Sequence, residues 1–167
     1  RLDETISEVT ASADKYILNK ATRPVADLME DLSNWYIRRS RRRFWKSEND
    51  EDKNQAYATL YYTLRTIYQL LAPWAPFVSD KLWREVEGEH GVESVHLSEW
   101  PSVKEPSSTS TKQLVSDMAR VRAAIAAGLA QRAEAAVKVR QPLLSVSLNV
   151  QIDSPQRFEE IVTEELN

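Results

Sequence analysis

The chain has 167 residues and a formal net charge of −3, and 42% of its residues are hydrophobic, which suits a single globular domain with a core. Only 3 glycines occur, which disfavours a turn-rich β-sandwich and favours long helices. The absence of cysteine excludes disulfides and thiolate zinc sites, and the 2 histidines disfavour a histidine metal cluster. The sequence contains no apolar run of about 18 residues, the length that would predict a membrane-spanning helix. Because the chain starts at Arg1 without a signal pattern, we expect a piece of a longer protein.

Apolar residues at helical spacing predict five main helices in the first 130 residues. The first covers residues 3–19. The second begins at Thr22-Arg23-Pro24, because proline is tolerated in a first helical turn, and it continues into an arginine-rich segment. The third follows the acidic residues 48–52, whose charges complement the helix dipole, and has an apolar stripe over 57–71. The fourth begins at Pro76.

Residues 88–109 have the composition of a loop, in which only Val95-His96-Leu97 could pair as a short strand. A capping box of Ser110 and Gln113 predicts the start of the fifth helix. Alternating apolar residues predict a strand over 144–152, and Ser154-Pro155 begins a last helix. The predicted fold is therefore all-α: a bundle of four to five helices over 1–142, followed in 143–167 by a small β appendage that begins a further, incomplete segment.

Residues 34–46, NWYIRRSRRRFWK, hold six bases and no acid, with aromatic rings at both ends. At 100° per residue, Asn34, Arg38, Arg41 and Trp45 fall within about 60° of one helix face. Such a face offers an amide for a base edge, guanidinium groups for phosphates and an indole for stacking. Arg42 and Lys46 extend the same cationic cluster.

Simpler interpretations of this segment stay open. The charge run could be a solvated helix face, and Asn34 could be a structural hydrogen-bonding residue. We expect Trp35 and Tyr36 to lie in the core rather than in a contact surface. Arg39 and Arg43, on the core side, would either leave the bundle at its end or pair with acidic residues there, such as Glu30, Asp31 or those of residues 48–52.

A second basic block spans 132–142 and contributes Lys138 and Arg140. These cations could meet a phosphate backbone, or they could simply complement the C-terminal end of a helix. No catalytic constellation is present: His90 and His96 lie in a loop without a partner set, so we expect exposed loop histidines and no catalysis by this chain.

The arginine-rich string of residues 34–45 and four further segments of the sequence resemble the isoleucyl-tRNA synthetase family. The resemblance extends along nearly the whole chain, and it is most specific in the arginine-rich string. The segments that carry it are Asn34–Trp45, Ala56–Tyr61, Ala72–Phe77, Ser94–Leu97 with Trp100-Pro101, and Lys138–Leu143.

The resemblance implies the helical anticodon-binding domain that follows the catalytic domain in class I synthetases. It implies a monomeric cytoplasmic parent that joins isoleucine to tRNA(Ile) with ATP and Mg²⁺, and that also has catalytic and C-terminal domains. It implies no cofactor in this part, and it places Asn34 and Arg38 at the anticodon. Two alternatives stay open: a non-enzymatic helical RNA-binding module, and a structural interaction bundle.

Overall fold

A computed structural model describes residues 1–45, 50–88, 91–103 and 108–167. The chain divides into two compact units, Arg1–Pro106 and Ser107–Asn167. Within the described ranges all regular structure is helical, which confirms the all-α prediction. The predicted domain limits of 1–142 and 143–167 stay a prediction. None of the helices in these ranges is both long and apolar enough to cross a membrane.

The first unit contains five α-helices, counted over its described residues, together with a six-residue π-helix and one 3₁₀ turn. The bounds are α1 Leu2–Ala13, α2 Leu18–Asp31, the π-helix Leu32–Ile37, α3 Arg41–Trp45, α4 Asp50–Leu71, α5 Pro76–Glu87 and the 3₁₀ turn Val95–Leu97.

The boundary between the first two helices differs from the prediction. Helix α1 ends at Ala13, and Tyr16 turns the chain with a φ of 56°. Helix α2 then begins at Leu18, so Pro24 lies inside it rather than at its start. Burial of Ala21, Val25 and Leu28 on the inner face of α2 outweighs the one hydrogen bond that the proline cannot make.

The later helix boundaries follow the sequence closely. Helix α4 carries Asp50, Glu51 and Asp52 in its first turn, and Pro76 is at the start of α5, as predicted. The predicted stripe of α4 is only partly buried, because Tyr57 and Tyr61 remain exposed.

The core of the first unit lies among α1, α2, α4 and α5. Trp83 of α5 is completely buried, and its Nε1 donates to the carbonyl oxygen of Val92 at 2.7 Å. The buried members of this core are Ile6, Val9, Ala21, Val25, Leu28, Leu32, Ile67, Tyr68, Leu70, Ala72, Trp83 and Val95.

The loop after α5 is held by a carboxylate. Asp80 of α5 accepts hydrogen bonds from the Ser94 hydroxyl and from the Val95 amide. These bonds fix Val95–Leu97 as a 3₁₀ turn, so the prediction of a short strand there is wrong.

The second unit contains α6 (Thr109–Glu134), a 3₁₀ turn (Pro155–Phe158) and α7 (Glu159–Leu166). The N-cap of α6 is Ser108, whose hydroxyl accepts from the Thr111 amide, so the predicted capping box at Ser110 is displaced by two residues. The predicted last helix after Ser154-Pro155 is confirmed.

The predicted β appendage is not formed. Residues 144–152 are in the described part of the chain, and they form no strand. The alternating apolar pattern is present, but a strand also needs a neighbouring backbone to pair with. No other strand occurs in 108–167 to supply one.

Candidate nucleic-acid interface

The arginine-rich segment does not form the regular helix on which its predicted spacing was based. A π-helix runs from Leu32 to Ile37, and α3 begins only at Arg41, after a turn at Ser40. A π-helix bonds residues five apart instead of four, and such insertions are frequent at functional sites. The rotation of 100° per residue, which was used to place the side chains of residues 34–45 on one helix face, therefore does not hold between Asn34 and Trp45.

The predicted contact residues of this segment are nonetheless exposed. Asn34, Arg38, Arg41 and Arg42 are all solvent-exposed, and the Trp45 side chain is 70% exposed. Arg38 Nε also donates to the backbone carbonyl of Asn34 at 2.9 Å, which links two of the predicted residues across the π-helix. Lys46 lies outside the described residues.

Three of the guanidinium groups lie close to tryptophan rings. The central carbons of the Arg38 and Arg39 guanidiniums are 5.6 and 5.5 Å from the centroid of Trp35, and that of Arg41 is 5.6 Å from the centroid of Trp45. These are cation–π distances. Such contacts restrain the long side chains, which lowers the conformational entropy that they would lose on meeting a ligand.

The two neighbouring aromatic residues, which we predicted to be core residues, behave differently. Tyr36 packs against the core, and its hydroxyl donates to the carbonyl oxygen of Ala56 at 3.1 Å, as expected. Trp35 is half-buried and instead stacks with Arg38 and Arg39. It therefore belongs to the arginine-rich surface rather than to the core.

The inner side of the segment anchors it to α4. Phe44 is buried, with its ring centroid 5.1 Å from that of Tyr57. Arg43 donates to both carboxylate oxygens of Asp52, at 2.9 and 2.7 Å, so for this arginine the structure selects the acidic cluster of residues 48–52 among the alternatives left open by the sequence. This hydrogen bonding lowers the pKa of the Asp52 carboxyl and raises the pKa of the Arg43 guanidinium.

The second basic block, in the other unit, separates into a buried residue and two exposed ones. The Arg132 side chain, on α6, donates to the backbone carbonyls of Lys138, Val139, Gln141 and Leu166. Lys138 and Arg140 are exposed on the turn that Arg132 holds. Arg132 is therefore structural, whereas Lys138 and Arg140 are available to solvent.

The described histidine, His96, has no neighbouring group of metal-ligating side chains. His96 is exposed in the 3₁₀ turn, and His90 lies outside the described residues. No group of three or more potential metal-ligating side chains occurs among residues 1–45, 50–88, 91–103 and 108–167.

The sequence analysis missed two structural features, and the sequence contains a pattern that could have predicted only one of them. Trp35 precedes Arg38 and Arg39 by three and four residues, a spacing that brings side chains together on a helix. This spacing could have predicted the stacked pair. The carbonyl-binding role of Arg132 had no such signal, because its partners come from a turn and from the distant α7.

Comparisons with known proteins agree with these observations. Residues 1–148 match the model of the anticodon-binding domain of tRNA ligase. The chain is 40% identical to the isoleucine–tRNA ligase of Treponema denticola over 99% of the chain and 15% of that protein. It is 39% identical to the enzyme of Deinococcus radiodurans (100% and 15%) and 41% identical to that of Dehalococcoides mccartyi (99% and 17%). The chain thus spans about one sixth of the length of these curated relatives.

Proposed function

Because the chain belongs to the family of anticodon-binding domains of tRNA ligases, we propose that it binds the anticodon arm of tRNA(Ile) as one part of an isoleucine–tRNA ligase. The observation that supports this most directly is the arginine-rich surface, which we define as the exposed residues Asn34, Arg38, Arg41, Arg42 and Trp45 together with the half-buried Trp35. It combines cations for phosphates, aromatic rings for stacking and an amide for hydrogen bonding.

We assign the roles within this surface by chemistry. Arg38, Arg41 and Arg42 contact phosphates, because guanidinium groups form charge-assisted hydrogen bonds to phosphate oxygens. Trp45 stacks on an unpaired anticodon base, since its ring is exposed. The Asn34 amide hydrogen-bonds to a base edge.

Three further cations complete the proposed tRNA-binding set. Lys138 and Arg140, exposed in the second unit, contact phosphates of the tRNA backbone. Lys46 extends the charge of the arginine-rich string in the same way. Residues 143–167 begin the segment that links this domain to the C-terminal region of the parent protein.

The activity of the whole protein is part of the same proposal. The parent is a monomeric cytoplasmic enzyme that joins isoleucine to its tRNA, with ATP and Mg²⁺ bound by its catalytic domain. The present chain supplies tRNA binding and no catalysis. Its other partners are the catalytic and C-terminal domains of the same parent chain.

The first test measures tRNA binding by this chain as a function of salt. If the basic residues meet about 3 phosphates, the log–log slope of affinity against salt concentration is about −2 to −3. Arg41→Ala should weaken binding and reduce the slope by about 1. Arg23→Ala is the matched control, because it removes the same charge from α2, where Arg23 pairs with Asp27 at 3.0 Å.

Three outcomes decide between the proposal and its alternatives. A slope of zero would leave only a structural interaction bundle. Equal weakening by Arg23→Ala and Arg41→Ala would show that net charge, and not the arginine-rich surface, attracts the tRNA. Equal affinity of the full-length parent for tRNA(Ile) and unrelated RNA would indicate a general RNA-binding module.

The second test separates base recognition from electrostatic attraction. Asn34→Ala leaves the charge unchanged, so it should cost about 1–3 kcal/mol of binding free energy for tRNA(Ile) alone. Affinity is measured in the full-length parent for cognate and non-cognate tRNA, together with the melting temperature. Equal losses for both tRNAs with a lower melting temperature would make Asn34 a structural residue.

A further inference from the structure

Trp35 carries two arginine side chains on one ring. The central carbons of the Arg38 and Arg39 guanidiniums lie over the indole, at 5.6 and 5.5 Å from its centroid. Side chains on a helix lean towards its N-terminus, so residues three and four positions later reach back towards the ring. Two consecutive cations are thus gathered at one aromatic side chain.

The indole is a platform that is attached to the rest of the first unit. Trp35 is half-buried, and its neighbour Tyr36 donates a hydrogen bond to the carbonyl oxygen of Ala56 in α4 at 3.1 Å. Arg38 is restrained a second time, because its Nε donates to the carbonyl oxygen of Asn34 at 2.9 Å. The two guanidinium groups therefore occupy a defined place beside the exposed surface.

This arrangement disfavours a direct contact between Trp35 and a nucleotide base. A base stacks on the face of an aromatic ring, and the guanidiniums of Arg38 and Arg39 already lie over the indole. The Trp45 side chain, which is 70% exposed, is better suited to stacking. We therefore expect Trp35 to act through the two arginines.

The charges at this ring favour an anion. Two guanidinium groups held at one ring repel each other, since both keep their charge at neutral pH. An anion that contacts both groups relieves this repulsion and accepts charge-assisted hydrogen bonds from each. The oxygens of a phosphate group can accept from two guanidiniums at once, and Arg39 keeps part of its side chain at the surface.

We propose that Trp35 is a positioning residue that holds Arg38 and Arg39 as a pair, and that this pair binds phosphate of the tRNA backbone. The proposal rests on the tRNA-binding function proposed above, and it adds Arg39 to the residues that contact the tRNA. Trp35 lowers the conformational entropy that the two long side chains lose when the phosphate binds.

The test measures the affinity of the full-length parent for tRNA(Ile) at several salt concentrations. Arg39→Ala should weaken binding and reduce the log–log slope by about 1, because one phosphate contact is lost. Trp35→Leu should weaken binding about 5- to 30-fold but leave the slope unchanged, because both cations remain. Trp35→Phe keeps an aromatic ring and should stay within about threefold of wild type. Trp100→Leu is the matched control, since it removes a partly exposed indole elsewhere in the same unit.

A double-mutant cycle separates positioning from direct contact. Trp35→Leu is combined with Arg38→Ala and Arg39→Ala, and the affinities are compared at low salt, where binding is strongest. A residue that acts only through the arginines has nothing left to position in this background. Trp35→Leu should therefore cause no further loss, within about twofold, when both arginines are absent.

Three results would overturn the proposal. An equal loss from Trp35→Leu with and without the arginines would show that the ring stacks on a base or is merely structural. Trp35→Phe as weak as Trp35→Leu would show that the ring does not hold the cations. Unchanged affinity and slope in Arg39→Ala would remove Arg39 from the contact.

Failure of this proposal is distinguishable from failure of the proposed function. If Arg41→Ala weakens binding and reduces the slope while Trp35→Leu and Arg39→Ala have no effect, tRNA binding stands and only the paired site is wrong. If the wild-type protein shows no salt-dependent affinity for tRNA(Ile), both are wrong.

Discussion

Arg132 offers a sharp test of what holds the second unit together. The side chain is 6% exposed, and its guanidinium donates to four backbone carbonyls, including that of Leu166 at 3.0 Å. Arg132→Met retains most of the apolar stem but removes every donor. The substitution therefore separates the hydrogen bonds from the packing.

The expected loss follows from the positions of the four acceptors. The Leu166 carbonyl is in a buried contact, and an unsatisfied buried acceptor costs about 1–3 kcal/mol. The other three carbonyls belong to an exposed turn and can bind water, so together they add about 1 kcal/mol. The total of about 2–4 kcal/mol is a large fraction of the roughly 3–9 kcal/mol that is usual for 61 residues, the length of Ser107–Asn167.

Hydrogen exchange of the α6 and α7 amides is the suitable assay, because melting of the whole chain would combine two units. The predicted loss corresponds to exchange about 30- to 700-fold faster. Arg140→Met is the control, since it removes the same charge from an exposed position on the same turn. Exchange within about threefold of the wild-type rate in Arg132→Met, a free-energy change below about 1 kcal/mol, would refute this account.

Two predictions concern the first unit. Trp83→Phe should lower the free energy of unfolding by about 2 kcal/mol, measured by urea denaturation, because it removes a buried hydrogen bond and leaves a cavity. Hydrogen bonds, from Ser94 to Asp80 and from Arg43 to Asp52, lower the pKa of both carboxyls. Their stabilisation is therefore present above the unfolded-state pKa of about 4 and is lost as the pH falls through the lower folded-state values. Melting temperatures of Asp80→Asn and wild type should differ at pH 7 and converge in acid; a constant difference would contradict this.

The sequence by itself determined the features that depend on local chemistry. Pro76 begins α5 and an acidic first turn begins α4, because a fixed φ and a helix dipole act within a few residues. The pairing of Arg43 with Asp52 was one of the alternatives that the sequence left open, since the two residues are only nine positions apart. The arginine-rich string and its exposure required no knowledge of the fold.

Features that depend on burial or on distant partners could not be predicted in this way. Pro24 has the properties of a first-turn residue, yet α2 begins at Leu18 because Ala21, Val25 and Leu28 pack into a core built from other helices. The π-helix at Leu32–Ile37 changes which side chains share a face, and periodicity assumes a constant turn angle.

The second unit illustrates the same division most clearly. The alternating pattern of residues 144–152 predicted a strand, but pairing requires a second backbone, and the described part of the second unit supplies none, so no strand forms there. Arg132 resembles any other cation near a helix end until the turn and α7 bring four carbonyls around it. The sequence determines local conformation through short-range forces, whereas only the tertiary structure decides which groups lose water, because burial depends on the arrangement of the whole unit.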